Sequence, residues 1–146
     1  MRRVYVNEQV CIGCRLCEVY CQLQHAKSAD LVKAFKRESP RPLPRLRIEE
    51  NGELSLSVRC KQCEEALCVQ ACLTGALSRD SVNSLVTIDE ERCIGCGTCL
   101  LACPLGALKL DKGQRKMLKC DLCQGKDIPA CVANCPNEAL VYAEVK

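Results

Sequence analysis

The chain has 146 residues, of which 16 are cysteine, three tyrosine and one phenylalanine, with no tryptophan. Its hydrophobic content of 48% therefore conceals a shortage of large apolar side chains, which excludes a fold held by burial alone and calls for disulfides or metals. The formal charge of +3 counts every cysteine as neutral, and no segment approaches the roughly 18 apolar residues of a membrane-spanning helix.

The opening residues, MRRVYVNEQVCIG, contain two arginines but neither the apolar run nor the small-residue cleavage site of a signal peptide. Arg2 and Arg3 lead straight into a polar segment, so no twin-arginine signal is expected. The expected location is cytoplasmic, where a chain this rich in thiols binds metal rather than forming disulfides. RVYV (3–6) reads as a short strand feeding the first cysteines. SADLVKAFKRE (28–38) reads as a helix with Ser28 as N-cap and Leu31, Val32 and Phe35 on one face. PRPLPRL (40–46) ends it and is extended. LRIEENGELSLSV (46–58) alternates around Asn51–Gly52, a hairpin signal. LVTI (85–88) is a second short strand, and ALKLDKGQRKML (107–118) a second hairpin around Lys112–Gly113.

The cysteines fall into four groups of four with none left over: Cys11, Cys14, Cys17, Cys21; Cys60, Cys63, Cys68, Cys72; Cys93, Cys96, Cys99, Cys103; and Cys120, Cys123, Cys131, Cys135. Groups one and three share C-x2-C-x2-C-x3-C and similar contexts, VYVNEQVCIGC against VTIDEERCIGC. Groups two and four are looser, and their ends match as CVQACLTGAL against CVANCPNEAL. The chain is thus a duplication, offset by 82 residues between Cys11 and Cys93. The last two cysteines of each group are expected on single helical turns.

Zinc is one reading, but structural zinc usually takes two separated C-x2-C pairs. Disulfides are another, and the missing signal peptide speaks against them. The run of groups one and three is that of bacterial ferredoxins, with Cys103–Pro104 supplying the trailing proline. Three cysteines at i, i+3 and i+6 wrap a loop around one corner of an iron–sulfur cubane. Gly13 and Gly95 sit inside the two loops, where close approach or positive φ is wanted. The fourth cysteine starts a turn pointing elsewhere, and in two-cluster ferredoxins it ligates the other cluster.

On these motifs the chain resembles, over nearly its whole length, the four-cluster iron–sulfur subunit family. Members serve dimethyl sulfoxide reductase, formate dehydrogenase and hydrogenase complexes, carbon monoxide dehydrogenase and tungsten aldehyde oxidoreductases. The resemblance implies four [4Fe-4S] clusters in an α+β fold of short strands and helices, a duplicated ferredoxin-like arrangement with one unit inserted in the other. The outer unit takes residues 1–21 and 112–146, the inner unit 60–111, with a docking segment of helix, linker and hairpin at 22–59. It further implies that Cys60, Cys63 and Cys68 share a cluster with Cys103, and Cys93, Cys96 and Cys99 with Cys72. Cys11, Cys14 and Cys17 would pair with Cys135, and Cys120, Cys123 and Cys131 with Cys21. Gln22 and Leu73 replace the expected prolines, which removes no ligand.

With every thiol spent on clusters, and no Ser/His/Asp set, phosphate loop or nucleotide fingerprint, the chain is expected to be non-catalytic. The expected role is one-electron relay to or from a partner in anaerobic metabolism. That partner is a catalytic oxidoreductase subunit, either carbon monoxide dehydrogenase or a tungsten/molybdenum aldehyde or formate enzyme. A flavin- or NAD-linked reductase subunit is a second partner. A freely diffusing polyferredoxin is the alternative, and a zinc-binding interaction protein a different class. Four clusters at −2 each would turn +3 into about −5, so the basic pI is no argument for nucleic acid. From Lys27 to Arg47 there are seven basic and two acidic residues, read either as a solvated linker or as a docking surface anchored by Phe35, Leu43 and Leu46. His25 is read as a packing residue beside an already complete thiolate set, against a ligand or proton-coupled role. Tyr5 and Tyr142 are read as pairing across strands to shield a cluster, or as ordinary packing.

Overall fold

Every element is short, as a chain with few large apolar residues requires. The computed structural model describes residues 1–145. In chain order the first elements are β1 (Arg2–Val6), α1 (Leu16–Gln24), α2 (Leu31–Lys36), β2 (Leu46–Asn51), β3 (Leu54–Arg59) and α3 (Leu67–Gln70). There follow β4 (Leu77–Arg79), β5 (Val86–Ile88), α4 (Thr98–Ala102), β6 (Lys109–Asp111), β7 (Lys116–Leu118), α5 (Ala130–Ala133) and β8 (Leu140–Glu144). They form four two-stranded sheets among the described residues, β1–β8, β2–β3, β4–β5 and β6–β7. Contacts divide the chain into two compact units, Arg2–Val58 with Leu122 onward, and Arg59–Asp121 with the first residue.

The two units repeat one plan. In the first, the strand before group one (β1) pairs antiparallel with the strand after group four (β8), and α1 packs on α5. In the second, the strand after group two (β4) pairs with the strand before group three (β5), and α3 packs on α4. Gly13 lies against the β2–β3 hairpin and Gly95 against the β6–β7 hairpin, both at φ +66. A side chain at Gly95 would strike the Arg115 carbonyl, whereas at Gly13 it would meet Ser55 Oγ at 2.9 Å. The positive φ and the close approach both demand glycine here.

The same turn follows three of the four groups. The sequences CLTGAL (72–77), CPLGAL (103–108) and CPNEAL (135–140) each return a backbone N–H to the cysteine carbonyl. The donors are Gly75, Gly106 and Glu138, at 3.3, 3.0 and 3.3 Å, and all three residues have positive φ. The Ala-Leu pair that follows is buried in every case. Group one departs from this pattern. Cys21 lies inside α1 rather than at its end, and the helix runs on to Gln24. A proline at position 22 would break that helix; instead Gln22 Nε2 donates to the Pro42 carbonyl at 3.1 Å. The single turn expected around Cys17 and Cys21 is therefore a nine-residue helix.

Three local expectations need correction. The cap of α2 is Asp30, whose carboxylate accepts from Lys33 N–H at 2.8 Å, while Ser28 Oγ accepts from Asp30 N–H. Asp wins because its carboxylate reaches the orphan N–H of the first turn. That helix is held by Ala34, fully buried, and not by the Leu31–Val32 face, which is exposed. Tyr5 lies opposite Val141 and Tyr142 opposite Val4, so alternation along the strand turns the two rings to different faces. Arg2 instead stacks over the Tyr142 ring, 5.8 Å from its centroid.

Candidate metal centres

Two cavities bring together thiols from different sequence groups. In the unit of Arg2–Val58 and Leu122 onward, one apolar-walled cavity is lined by Cys11, Cys14, Cys17 and Cys135. Cys11, Cys14 and Cys17 are brought there by the loop ahead of α1, and Cys135 by the turn that closes α5. Ser57 lines the same cavity, is 4% exposed, and its hydroxyl has no hydrogen-bond partner. A buried hydroxyl without a partner costs about 1–3 kcal/mol, so the cavity suits an occupant with sulfur acceptors.

In the other unit a second cavity is lined by Cys60, Cys63, Cys68 and Cys103. Here too three thiols come from one group and the fourth from the next. Of the other thiols of this unit, Cys93 and Cys99 are buried among Ala76, Leu77, Val86 and Met117, Cys72 packs against that core, and Cys96 is exposed. Cys99 feels Cys72, Cys93 and Cys96 electrostatically. Elsewhere in the chain Cys21, Cys123 and Cys131 are buried and Cys120 is partly buried.

The thiols are poised unequally. Burial pushes Cys17 and Cys99 up to about 11, and raises Cys68 despite the opposing charge of Lys119. Burial also raises Cys72, but hydrogen bonds from the Leu77 N–H and from the Thr74 hydroxyl and N–H outweigh it and bring this thiol below its ordinary value. The Thr98 hydroxyl and N–H lower exposed Cys96. Thiolate ligation must displace the protons of the raised thiols. Backbone N–H groups are already aimed at sulfur: Arg45 at Cys21 (3.2 Å), Met117 at Cys93 (3.4 Å) and Ala107 at Cys103 (3.5 Å). Such bonds steady ligands and tune cluster potentials. Among the described residues, no three Cys, His, Asp or Glu side chains converge as tightly as a single ion asks. A cubane, whose irons occupy separate corners, takes a wider set.

His25 caps α1 and directs Nδ1 at the Cys21 carbonyl, 2.8 Å away. A carbonyl only accepts, so Nδ1 carries the proton. Its distance to Cys21 Sγ is 3.9 Å. Two site residues escaped sequence reasoning. Gln62, 1% exposed, and Lys119, 2% exposed, are buried beside the second cavity and line it. Strand alternation was a usable signal for the lysine, since Lys119 follows buried Met117 by two residues and so shares its side of the chain. Gln62, inside a C-x2-C loop, carried none.

Thiols gathered in fours around apolar cavities, on short elements that follow a ferredoxin-type run, define an iron–sulfur protein. The family described as a 4Fe-4S dicluster domain matches residues 53–145. Electron transport protein HydN of Escherichia coli (strain K12) is 37% identical, over 98% of this chain and 88% of its own length. The polyferredoxin-like subunit of aliphatic sulfonate oxidoreductase from Pyrococcus furiosus is 35% identical, over 90% of this chain and 70% of its own. Among solved structures, the active site complex BamBC of benzoyl coenzyme A reductase aligns at TM-score 0.53 and 23% identity, covering 98% of this chain and 76% of that one, a likeness of fold. The chain belongs to the 4Fe-4S dicluster family of iron–sulfur electron-transfer proteins. Among the described residues no helix is long and apolar enough to cross a membrane.

Proposed function

We propose that the chain holds four [4Fe-4S] clusters and relays single electrons to or from a catalytic oxidoreductase partner in the cytoplasm. The ligand sets are Cys11, Cys14 and Cys17 with Cys135, Cys120, Cys123 and Cys131 with Cys21, Cys60, Cys63 and Cys68 with Cys103, and Cys93, Cys96 and Cys99 with Cys72. The observation that carries this reading is the pair of cavities, each lined by three thiols of one group and the last thiol of another. A duplication with one ferredoxin-like unit inserted in the other would produce such an exchange. When bound, each cluster supplies one-electron transfer. The protein supplies closed thiolate sets, N–H groups aimed at sulfur and apolar walls that keep water away. With four thiols per cluster, no iron is left open to substrate, so bond chemistry falls to the partner.

Relatives named as a polyferredoxin-like subunit and as the electron transfer subunit of thiosulfate reductase support a dedicated complex. The partner types carried from the family resemblance are carbon monoxide dehydrogenase and tungsten or molybdenum enzymes, with a flavin- or NAD-linked reductase as second partner. Metal analysis of protein purified without oxygen tests the reading. About sixteen irons and about sixteen sulfides per chain, with absorption bleached by dithionite, are expected; about four zincs instead would overturn it.

The segment 22–59 is the proposed docking surface. Lys33, Lys36 and Arg37 are exposed on and beside α2, and among the described residues none has a carboxylate partner. Exposed Leu31 and Val32 adjoin them, and Leu43 is part of the same stretch. Leu46 is 3% exposed and belongs to the core, so it is not an anchor. Reversing the three charges to glutamate is expected to weaken partner binding about tenfold or more at low salt, with iron content unchanged. Co-purification of the intact complex checks this, and undiminished binding would remove the segment from the interface.

A further inference from the structure

Lys119 is a buried cation whose known partners are all neutral. It is 2% exposed, and its Nζ donates to the Val86 carbonyl at 2.7 Å and to the Cys120 carbonyl at 3.1 Å. An ammonium has three donors, so one is left over. Among the described residues no carboxylate pairs with it. Gln62 reinforces the arrangement from the same side: its Nε2 donates to the Cys120 carbonyl and its Oε1 accepts from Val86 N–H, both at 2.8 Å. The two side chains thus clamp the same two residues, and both line the cavity of Cys60, Cys63, Cys68 and Cys103. Lys61 and Glu65 also line it but are exposed, where solvent screens them.

Burying an ammonium without a counter-charge costs far more than two carbonyl bonds return. A carboxylate is the usual remedy, and among the described residues none pairs with Lys119. What the cavity offers instead is four thiols, which become anionic only when they ligate. We propose that Lys119 is the fixed counter-charge of the cluster held by Cys60, Cys63, Cys68 and Cys103, and that it raises the reduction potential of that cluster. This rests on the ligand set given under the proposed function. The sign follows from charge. Taking up an electron makes the cluster more negative by one, so a nearby cation stabilises the reduced form more than the oxidised form. Low dielectric around a residue so buried leaves the interaction largely unscreened.

The test is a redox titration of the iron-loaded full chain, followed by electron paramagnetic resonance, with iron counted in every sample. In K119Q and K119M one midpoint potential is expected to fall while the other three stay in place; in K119R, which keeps the charge, the fall is absent or much smaller. Combining K119Q with Cys103→Ala, which disables the same cluster, should leave the remaining potentials where Cys103→Ala alone leaves them. Should K119Q and K119M lose that cluster while K119R keeps it, the charge requirement is met in another form and the proposal stands. Unchanged potentials with full iron overturn it, as does cluster loss in all three variants, which would make Lys119 a packing residue. A shift that persists in the Cys103→Ala background places the effect on another cluster and also overturns it. Failure of the ligand set itself shows separately, as Cys103→Ala protein with its full complement of iron.

Discussion

Replacing Cys135 with alanine costs the chain at least one iron and at most about four, and the loss is not deepened by also replacing Cys11. Those two residues lie 124 positions apart but line one cavity together with Cys14 and Cys17. Once a cluster has lost one ligand, removing a second ligand of the same cluster adds little. Changes in independent sites add. Cys21→Ala combined with Cys11→Ala should therefore lose iron additively, although the two are neighbours in the run CIGCRLCEVYC. Iron and sulfide analysis of the singles and doubles settles the question. Additivity for Cys11 with Cys135, and its absence for Cys11 with Cys21, would mean that the N-terminal run is one four-ligand site.

Stripping iron and sulfide with a chelator under oxidising conditions is expected to unfold the protein rather than leave an empty shell. Isolated two-stranded sheets are marginal in water, and helices shorter than about 12 residues are marginal too. Among the described residues every sheet has two strands, and the longest helix has nine residues. The buried core of residues 59–121 is built from Ala66, Ala76, Leu77, Val86, Leu108 and Met117 together with Cys93 and Cys99, so its centre includes thiols. Burial of this kind supplies roughly 1.5–3 kcal/mol per large side chain, against about 1–2 kcal/mol of backbone entropy for every ordered residue. Bound metal closes the difference, as in other small metal-dependent domains. Loss of far-ultraviolet ellipticity and rapid proteolysis are the expected readouts. A stripped chain that keeps its ellipticity and its resistance to protease would show that the polypeptide folds unaided.

Much of this was legible in one dimension because cysteine spacing is a local property. The ferredoxin run and the two hairpins were readable from residues close together in the chain. RVYV and LVTI read as short strands leading into cysteine loops, and Gly13 and Gly95 were marked by their place inside those loops; the structure gives both φ +66. Chain-local reasoning failed where a tertiary partner decided. The cap of α2 went to Asp30 instead of Ser28. Leu46 turned inward because β2 packs against α1, where Glu18 accepts from Ile48 N–H at 2.7 Å. Gln22 proved to be a helix residue bonded to Pro42 and not a lapse in the motif.

The sequence by itself determined that this is an iron–sulfur protein, because sixteen thiols at ferredoxin spacing leave little else for them to do. Only the tertiary structure decided which thiols meet in a cavity, since exchange of the fourth cysteine depends on how turns separated by dozens of residues are folded back. Only the tertiary structure placed Lys119 and Gln62 beside one of those cavities. Their chemistry comes from burial, and burial is a property of the packed chain that spacing does not encode.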